Sequence, residues 1–303
     1  MNSIRPQFLK RNDKVTIIAT AKNFEHYELE AAINIIRSWG LRVELGQSLY
    51  KKYHQFAGTD QDREEDLQLA LDSPDSKAIF CARGGYGTSR IIDNVSFKKV
   101  VKHPKWVIGF SDVTTLHAQL QRNNIQSIHG LMPVLFCKKE YNRSIEELRA
   151  FLFGEKNAYT ISSHNFNRYG KAKGKLVGGN LSIICSMVGT ESDIVTKNKI
   201  LFIEEVGENL FRIDRMMVQL KRAGVLKHLS GLIVGHFTNM EDNIIGFGKS
   251  AYEIIADAVS EYNYPVCYGF PAGHEPHNLP LFLGAETELI INKDDVLIRS
   301  CNA

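Results

Sequence analysis

The sequence predicts an α/β protein with two domains, the first of them built on a largely parallel β-sheet. The chain has 303 residues, which exceeds the size at which one hydrophobic core usually stops growing. Its first half alternates short apolar runs with helical patterns, which is typical of βαβ units. A polar interval then breaks this pattern, so we expect domains at 1–140 and 176–303 with a linker at 141–175.

Strands and helices follow each other regularly in the first half. Lys14 to Thr20 (KVTIIAT) is apolar enough for a buried strand, and the helix that follows it is predicted to end at Gly40. Thr59 has the side-chain oxygen that can cap a second helix. The predicted strands are 14–20, 41–45, 78–82 and 106–109, and the predicted helices are 25–39, 59–71 and 111–122.

In the second half strands again alternate with helices, after a short helix at 144–152 and the polar stretch SSHNFNRYGKAKGK. The predicted strands are 199–204, 231–235, 266–269 and 286–291, and the predicted helices are 210–223 and 250–262.

The composition excludes several classes of function. Lys and Arg number 37 against 34 Asp and Glu, and both signs are scattered, so we do not expect a nucleic-acid partner. The chain shows no apolar leader and no apolar run long enough for a bilayer, which predicts a cytoplasmic protein without membrane contact. The five cysteines are widely spaced and fit core positions, and no metal-ligand spacing occurs. We therefore expect neither metal nor cofactor.

Ser111 is the candidate nucleophile. In VIGFSDVTTLH a strand ends at small residues and a helix begins at once, so the turn resembles a nucleophile elbow that exposes the hydroxyl above a sheet. The second glycine of a G-x-S-x-G elbow is absent, because Val113 stands there. The alternative is that Ser111 or Asp112 only caps the helix.

A second glycine-rich loop, RGGYG, also follows a predicted strand. Both loops are therefore expected at the carboxyl edge of one sheet, where open α/β folds bind ligands. Gly84 and Gly85 let the backbone approach a ligand closely and offer N–H groups to an oxyanion.

A serine nucleophile also needs a base and an acceptor that orients the base. The candidate base is His274, which lies in the Gly/Pro-rich loop GFPAGHEPHNLP, and His277 in the same loop is the alternative base. His117 fits helix packing better, and the role of His129 is undecided. Glu204 is expected to emerge at the end of the strand KILFIEE, and Glu205 to point the opposite way. The alternative for Glu204 is an ordinary ion pair with Arg212 or Arg215.

In this order the segments VTIIATA, AGTDQDREEDL, ARGGYG, GFSDVTTLH, LVGGNLS, LFIEEVGENLFRIDRMMVQLKRAG, GLIVGHF and GFPAGHEPHNLPLFLGA resemble the LD-carboxypeptidase family of serine peptidases. The resemblance implies a flavodoxin-like N-terminal domain and a smaller, β-rich C-terminal domain. It also implies a triad of Ser111, Glu204 and His274, and an oxyanion hole formed by the N–H groups of Gly85 and Asp112.

The implied substrate is the murein tetrapeptide released in cell-wall turnover, cleaved before its terminal D-Ala, and the implied assembly is a homodimer. Asn180 in LVGGNL either lines the substrate pocket or is a turn residue. Two alternatives stay open: a peptidase of the related microcin-immunity branch, which cleaves aminoacyl-nucleotide conjugates, and a non-catalytic ligand-binding protein on the same fold. The choice between meso-diaminopimelate and lysine at the third peptide position, and between free and sugar-linked peptide, is also open.

Overall fold

The computed structural model describes residues 3–301 and divides them into two compact units. The first unit comprises residues 3–156 and 276–284, and the second comprises 157–275 and 285–301. Ser111 therefore lies in the first unit, whereas Glu204 and His274 lie in the second.

The elements are numbered along the chain. The strands are β1 (Lys14–Ile18), β2 (Arg42–Leu45), β3 (Ser76–Cys81), β4 (Trp106–Gly109), β5 (Ser127–His129), β6 (Ala158–Ser162), β7 (Gly170–Asn180), β8 (Ile200–Val206), β9 (Gly231–Thr238), β10 (Val266–Cys267), β11 (Leu281–Leu283), β12 (Glu286–Ile291) and β13 (Asp295–Ser300). The helices are α1 (His26–Ser38), α2 (Asp60–Asp72), α3 (Thr88–Ile91), α4 (Lys98–Lys102), α5 (Thr114–Arg122), α6 (Asn142–Leu152), α7 (Leu181–Met187), α8 (Leu210–Arg222) and α9 (Ala251–Ala258).

The first unit contains a six-stranded sheet in the order β11-β5-β4-β3-β1-β2. Strands β1 to β5 are parallel, and β11 pairs antiparallel with β5. The parallel order 2-1-3-4-5 is that of flavodoxin, with its topological switch point between β1 and β3. This confirms the flavodoxin-like fold that the resemblance implied.

A local helix cap and the packing of helices on the sheet explain why these elements form. Thr59 caps α2 as expected, since its Oγ1 accepts a hydrogen bond from the Asp62 N–H at 3.2 Å and the Asp62 carboxylate accepts one from the Thr59 N–H. One face of the sheet packs on α2 and α5 in a cluster that includes Ile79, Val107 and Leu116. The central strands β3 and β4 are buried on both faces, which is why they are almost continuously apolar.

The second unit contains a seven-stranded mixed sheet in the order β10-β9-β8-β7-β12-β13-β6. Strands β7 to β10 are parallel, and the β7, β12, β13 and β6 ladder is antiparallel. The expectation of a β-rich second domain is confirmed. The long strand β7 joins the two halves, because residues 170–175 pair with β12 and residues 176–180 pair with β8.

The interval expected as a linker is instead regular structure. Residues 141–175 contain α6, β6 and the first half of β7. In β7 the exposed or half-buried Lys171, Lys173 and Lys175 alternate with the buried Ala172 and Gly174. This is the period-two pattern of a strand with one solvated face, but small inward residues made it look like a polar linker.

The segment 276–284 also departs from the expected division, since it belongs to the first unit. Its Leu281 to Leu283 pair with His129 to Ser127 of β5. Sheet pairing across more than 150 residues leaves no local pattern in the sequence.

Over residues 3–301, no helix is long and apolar enough to cross a bilayer.

Candidate active site

Ser111 sits on a strained turn at the carboxyl end of β4. Its φ is +61°, a left-handed conformation that costs a non-glycine residue about 1–3 kcal/mol. A 3-10 turn at Ser111–Val113 continues directly into α5. A serine at positive φ between a strand and a helix is the geometry of a nucleophile elbow.

The departure from the two-glycine elbow pattern has a steric explanation. A Cβ at position 109 would lie 2.8 Å from a methyl of Val113, and Val113 is fully buried. The turn is therefore closed by Val113 packing on Gly109. A glycine is needed at one of these two positions, and the chain keeps it at 109.

The RGGYG loop lies against this elbow. A Cβ at Gly84 would lie 3.2 Å from the Ser111 Cβ, so the loop backbone and the serine are in close approach. Gly85 adopts φ +103°, which L side chains rarely adopt. In the part of the chain that the structure describes, the Gly85 N–H has no protein acceptor, as an oxyanion donor requires.

The Asp112 side chain joins the two loops, a role that the sequence did not indicate. The carboxylate is fully buried and accepts a 2.8 Å hydrogen bond from the Thr88 N–H at the start of α3. Burial raises the pKa of Asp112, and the bond from Thr88 partly offsets this rise. Since Thr88 directly follows RGGYG, this bond holds that loop beside Ser111.

Arg63 is a second residue that holds the RGGYG loop in place and that the sequence did not indicate. Its side chain is fully buried, and Nη1 donates to the carbonyls of Thr20 at 2.8 Å and Gly87 at 3.0 Å. Nη2 bonds to Asp60. Arg63 thus ties the end of the RGGYG loop to the segment after β1. The sequence gives Arg63 no distinguishing pattern within this acidic helix, so only the fold reveals its contacts.

In the second unit, His274 and Glu204 form a hydrogen-bonded pair. Nδ1 of His274 lies 2.8 Å from Oε2 of Glu204, and Glu204 is fully buried at the end of β8. Burial alone would lower the pKa of His274, but the charge of Glu204 and its hydrogen bond raise this pKa above its ordinary value. Glu204 lies near the end of its strand, and its carboxylate contacts His274; its part in catalysis stays a prediction. Among residues 3–301, Glu204 forms no ion pair with Arg212 or Arg215, and Arg212 pairs with Glu208 instead.

The loop that carries His274 is held against the sheet by backbone bonds. The Phe270 N–H donates to the Val234 carbonyl at 3.1 Å, and the His236 N–H donates to the Ala272 carbonyl at 2.9 Å. A Cβ at Gly273 would lie 3.0 Å from the Glu204 carboxylate. The imidazole is therefore carried on a fixed loop over the carboxyl ends of β8 and β9.

Glu205 and Asn180 have structural contacts. Glu205 points away from Glu204 as expected, and it accepts bonds from Asn180 Nδ2 at 2.8 Å and the Ser182 N–H at 2.7 Å. Asn180 caps α7 through its Oδ1, which accepts from Ile183. Its φ is −68°, so it is not in an unusual turn conformation. Substrate binding by Asn180 stays a prediction.

The candidate histidines His117 and His277 differ from His274 in their surroundings. His117 lies between the Ser127 hydroxyl at 2.8 Å and the Gly109 carbonyl at 2.9 Å, and burial lowers its pKa to about 4. This confirms its packing role. His277 lies in the first unit, where burial and the charge of Arg143 lower its pKa. In the described part of the chain, neither histidine is hydrogen-bonded to a carboxylate that could orient a catalytic base.

The cysteines behave as core residues. Burial raises the pKa of Cys81, Cys185 and Cys267 to about 12, so these thiols stay protonated and unreactive. In residues 3–301, no group of three or more His, Cys, Asp and Glu side chains is arranged to hold a metal ion.

A serine at positive φ after a parallel strand of the first unit and, in the second unit, a histidine bonded to a buried carboxylate are each features of the class of serine hydrolases. Family profiles narrow this class. The profile of the LD-carboxypeptidase N-terminal domain matches residues 15–130, and that of the LD-carboxypeptidase C-terminal domain matches residues 173–289. The chain belongs to the LD-carboxypeptidase family and is a serine-type carboxypeptidase.

Individual relatives are similar to this chain over nearly their full lengths. A putative carboxypeptidase of Synechocystis is 35% identical over 95% of this chain and 95% of its own. A probable murein peptide carboxypeptidase of Bacillus subtilis is 33% identical over 94% of this chain and 91% of its own. The crystal structure of muramoyltetrapeptide carboxypeptidase from Oxalobacter formigenes superposes with a TM-score of 0.86 at 25% identity, covering 95% of this chain and 99% of its own.

The microcin C7 self-immunity protein, solved in complex with aspartyl sulfamoyl adenosine, is also similar. It gives a TM-score of 0.86 at 20% identity, covering 99% of this chain and 98% of its own. At this identity the likeness concerns the fold.

Proposed function

We propose that this chain is a murein tetrapeptide LD-carboxypeptidase that uses Ser111, His274 and Glu204 as a catalytic triad. The observation that carries the proposal is the 2.8 Å bond between His274 and the buried Glu204 carboxylate. A carboxylate in this position orients the imidazole and stabilises its protonated form. The names of the Bacillus and Oxalobacter relatives support a murein peptide as substrate.

In the proposed mechanism Nδ1 of His274 stays bonded to Glu204, so proton transfer falls to Nε2. Nε2 takes the Ser111 proton while Oγ attacks the carbonyl carbon of the third peptide residue, an L-centre. The N–H groups of Gly85 and Asp112 hold the oxyanion. The C–N bond then breaks, and the D-Ala amine leaves with the proton from His274. Water, deprotonated by His274, hydrolyses the acyl-enzyme and returns Ser111 to its hydroxyl form.

The proposal includes the cellular setting. Peptides released from the wall reach the cytoplasm during recycling, and we propose that the enzyme acts there as a homodimer without metal or cofactor. Sedimentation of the pure protein would test the dimer.

We expect the enzyme to release D-Ala from an L,D-linked tetrapeptide and to leave the D-Ala-D-Ala bond of the matched pentapeptide essentially uncut. One more residue would place a D-centre carbonyl at Ser111 and direct its side chain away from the pocket. A misplacement of about 1 Å can cost roughly a hundredfold in rate. Released D-Ala, quantified from both peptides under identical conditions, checks this expectation, and equal rates on both would contradict it.

The same assay separates the alternatives. Hydrolysis of an aminoacyl-sulfamoyl nucleoside with no action on tetrapeptide would assign the chain to the microcin-immunity branch. A folded protein that cleaves neither substrate and resists fluorophosphonate labelling would be a binding protein.

The pH profile should report the Glu204 contact. Because only neutral His274 accepts the serine proton, kcat/KM should fall as pH drops through the raised pKa of this histidine. In Glu204→Gln the charge and the charge-assisted hydrogen bond of Glu204 are lost, so burial opposes only the smaller raising effect of the Glu205 charge on the pKa of His274. We expect the acid limb of this variant to move to lower pH, with a lower maximal rate. Profiles of kcat/KM from pH 4 to 9 for both proteins measure this, and superimposable acid limbs would contradict the role of Glu204.

A further inference from the structure

Lys22 lies directly against the RGGYG loop, at Gly85. A Cβ at Gly85 would lie within 2.6 to 3.1 Å of the Cδ, Cγ and Cε atoms of Lys22. The lysine stem therefore crosses the Cα of Gly85, and the absence of a side chain at this glycine makes room for it.

The backbone of Lys22 is held at this place from two sides. Its N–H points to the Gly84 carbonyl at 3.4 Å, and the residue forms an antiparallel bridge with Phe56. The neighbouring Asn23 is bonded to the carbonyls of Gln55 and His54. The stem is thus anchored at its base, whereas its ammonium group is at the end of a chain half exposed to solvent.

The position in the fold is that of a ligand-binding residue. Lys22 follows β1 and the RGGYG loop follows β3, and these strands flank the switch point of the sheet. Open α/β sheets bind ligands in the crevice outside the carboxyl ends of these strands.

The charge of Lys22 is not neutralised by the protein. In the described part of the chain, no carboxylate lies within 4.0 Å of its ammonium. The nearby Lys51 and Lys52, by contrast, pair with Asp62 and Glu25. A cation without a partner beside a catalytic loop is suited to bind an anionic group of the substrate.

We propose that Lys22 binds the terminal carboxylate of the leaving D-Ala, an inference that rests on the function proposed above. With the scissile carbonyl oxygen at the Gly85 N–H, the terminal carboxylate lies one residue further along the substrate, which is about 3.8 Å. The stem of Lys22, which crosses Gly85, reaches over a distance of this size. An ammonium at this point distinguishes a carboxypeptidase substrate from one with an uncharged or extended end.

A comparison of the tetrapeptide acid with its C-terminal amide tests the proposal. The wild-type enzyme should prefer the acid in kcat/KM by about ten- to a hundredfold, the size of one charge-assisted hydrogen bond. In Lys22→Met the preference should fall to within about twofold, with kcat/KM for the amide unchanged. Lys22→Arg, which keeps the charge, should retain most of the preference. The expected loss lies mainly in KM, because the carboxylate is bound alike before and during reaction.

Lys52→Met is the matched control, because it removes the same charge from an exposed pair with Glu25, and it should discriminate as the wild type does. An unchanged acid preference in Lys22→Met would overturn the assignment of Lys22. An equal fall in kcat for acid and amide would overturn it as well, since Lys22 would then act on the chemical step. If the wild-type protein released no D-Ala from the tetrapeptide, the proposed function itself would fail.

Discussion

Ser111→Ala should lower tetrapeptide hydrolysis by about 10⁴- to 10⁶-fold in kcat, the loss typical of a missing serine nucleophile. Without Oγ no acyl-enzyme forms, and the remaining groups only bind and polarise the peptide. The fold should be unaffected, because Ser111 already adopts φ +61° and alanine meets the same strain there. Single-turnover D-Ala release and a thermal melt on the same preparation measure both effects.

Ser111→Gly makes a matched comparison. It should be as inactive as the alanine variant but more stable than it by about 1 kcal/mol, because relief of about 1–3 kcal/mol of strain outweighs the roughly 0.4–1 kcal/mol that glycine costs through the entropy of the unfolded chain. Near-normal turnover by either folded variant would remove Ser111 from the mechanism. Equal stability of the two would show that the turn is not strained at this residue.

His274→Ala should reduce kcat by a factor similar to that of the serine variant, and the double variant should lose nothing further. Residues that act as one unit give such non-additive losses. Ser111 and His274 lie in different units of the chain, so the double variant is the direct test of their cooperation.

His277→Ala is the matched control in the same loop and should keep activity within about fivefold. Its imidazole has a lowered pKa and no oriented carboxylate, so it is not suited to act as the base. Independent, multiplicative losses in the double variant would contradict a shared mechanism. An inactive His277→Ala beside an active His274→Ala would move the base to position 277.

Some candidate site residues could be found in the sequence because they follow a local pattern, and others could not because they depend on contacts between distant segments. Ser111 and Gly85 follow apolar strands within a few residues and Glu204 lies near the end of another, and the period-two rule separates Glu204 from Glu205. Arg63 and Lys22 carry no such signal. Arg63 bonds to the carbonyls of Thr20 and Gly87, and Lys22 lies against Gly85, so the position of each depends on backbone atoms of distant residues.

The sequence by itself determined the alternation of strands and helices, the capping of α2 by Thr59, and the serine and glutamate at strand ends, because these depend on hydrophobic period and local hydrogen bonding. Only the tertiary structure decided that residues 170–175 form a strand and that 281–283 return to the first sheet. It also decided that the Asp112 side chain ties two loops together and that Lys22 lies across Gly85. The physical reason is that these features depend on pairing and packing between segments far apart in the chain, where the energy of a contact belongs to both partners and leaves no pattern in either segment alone.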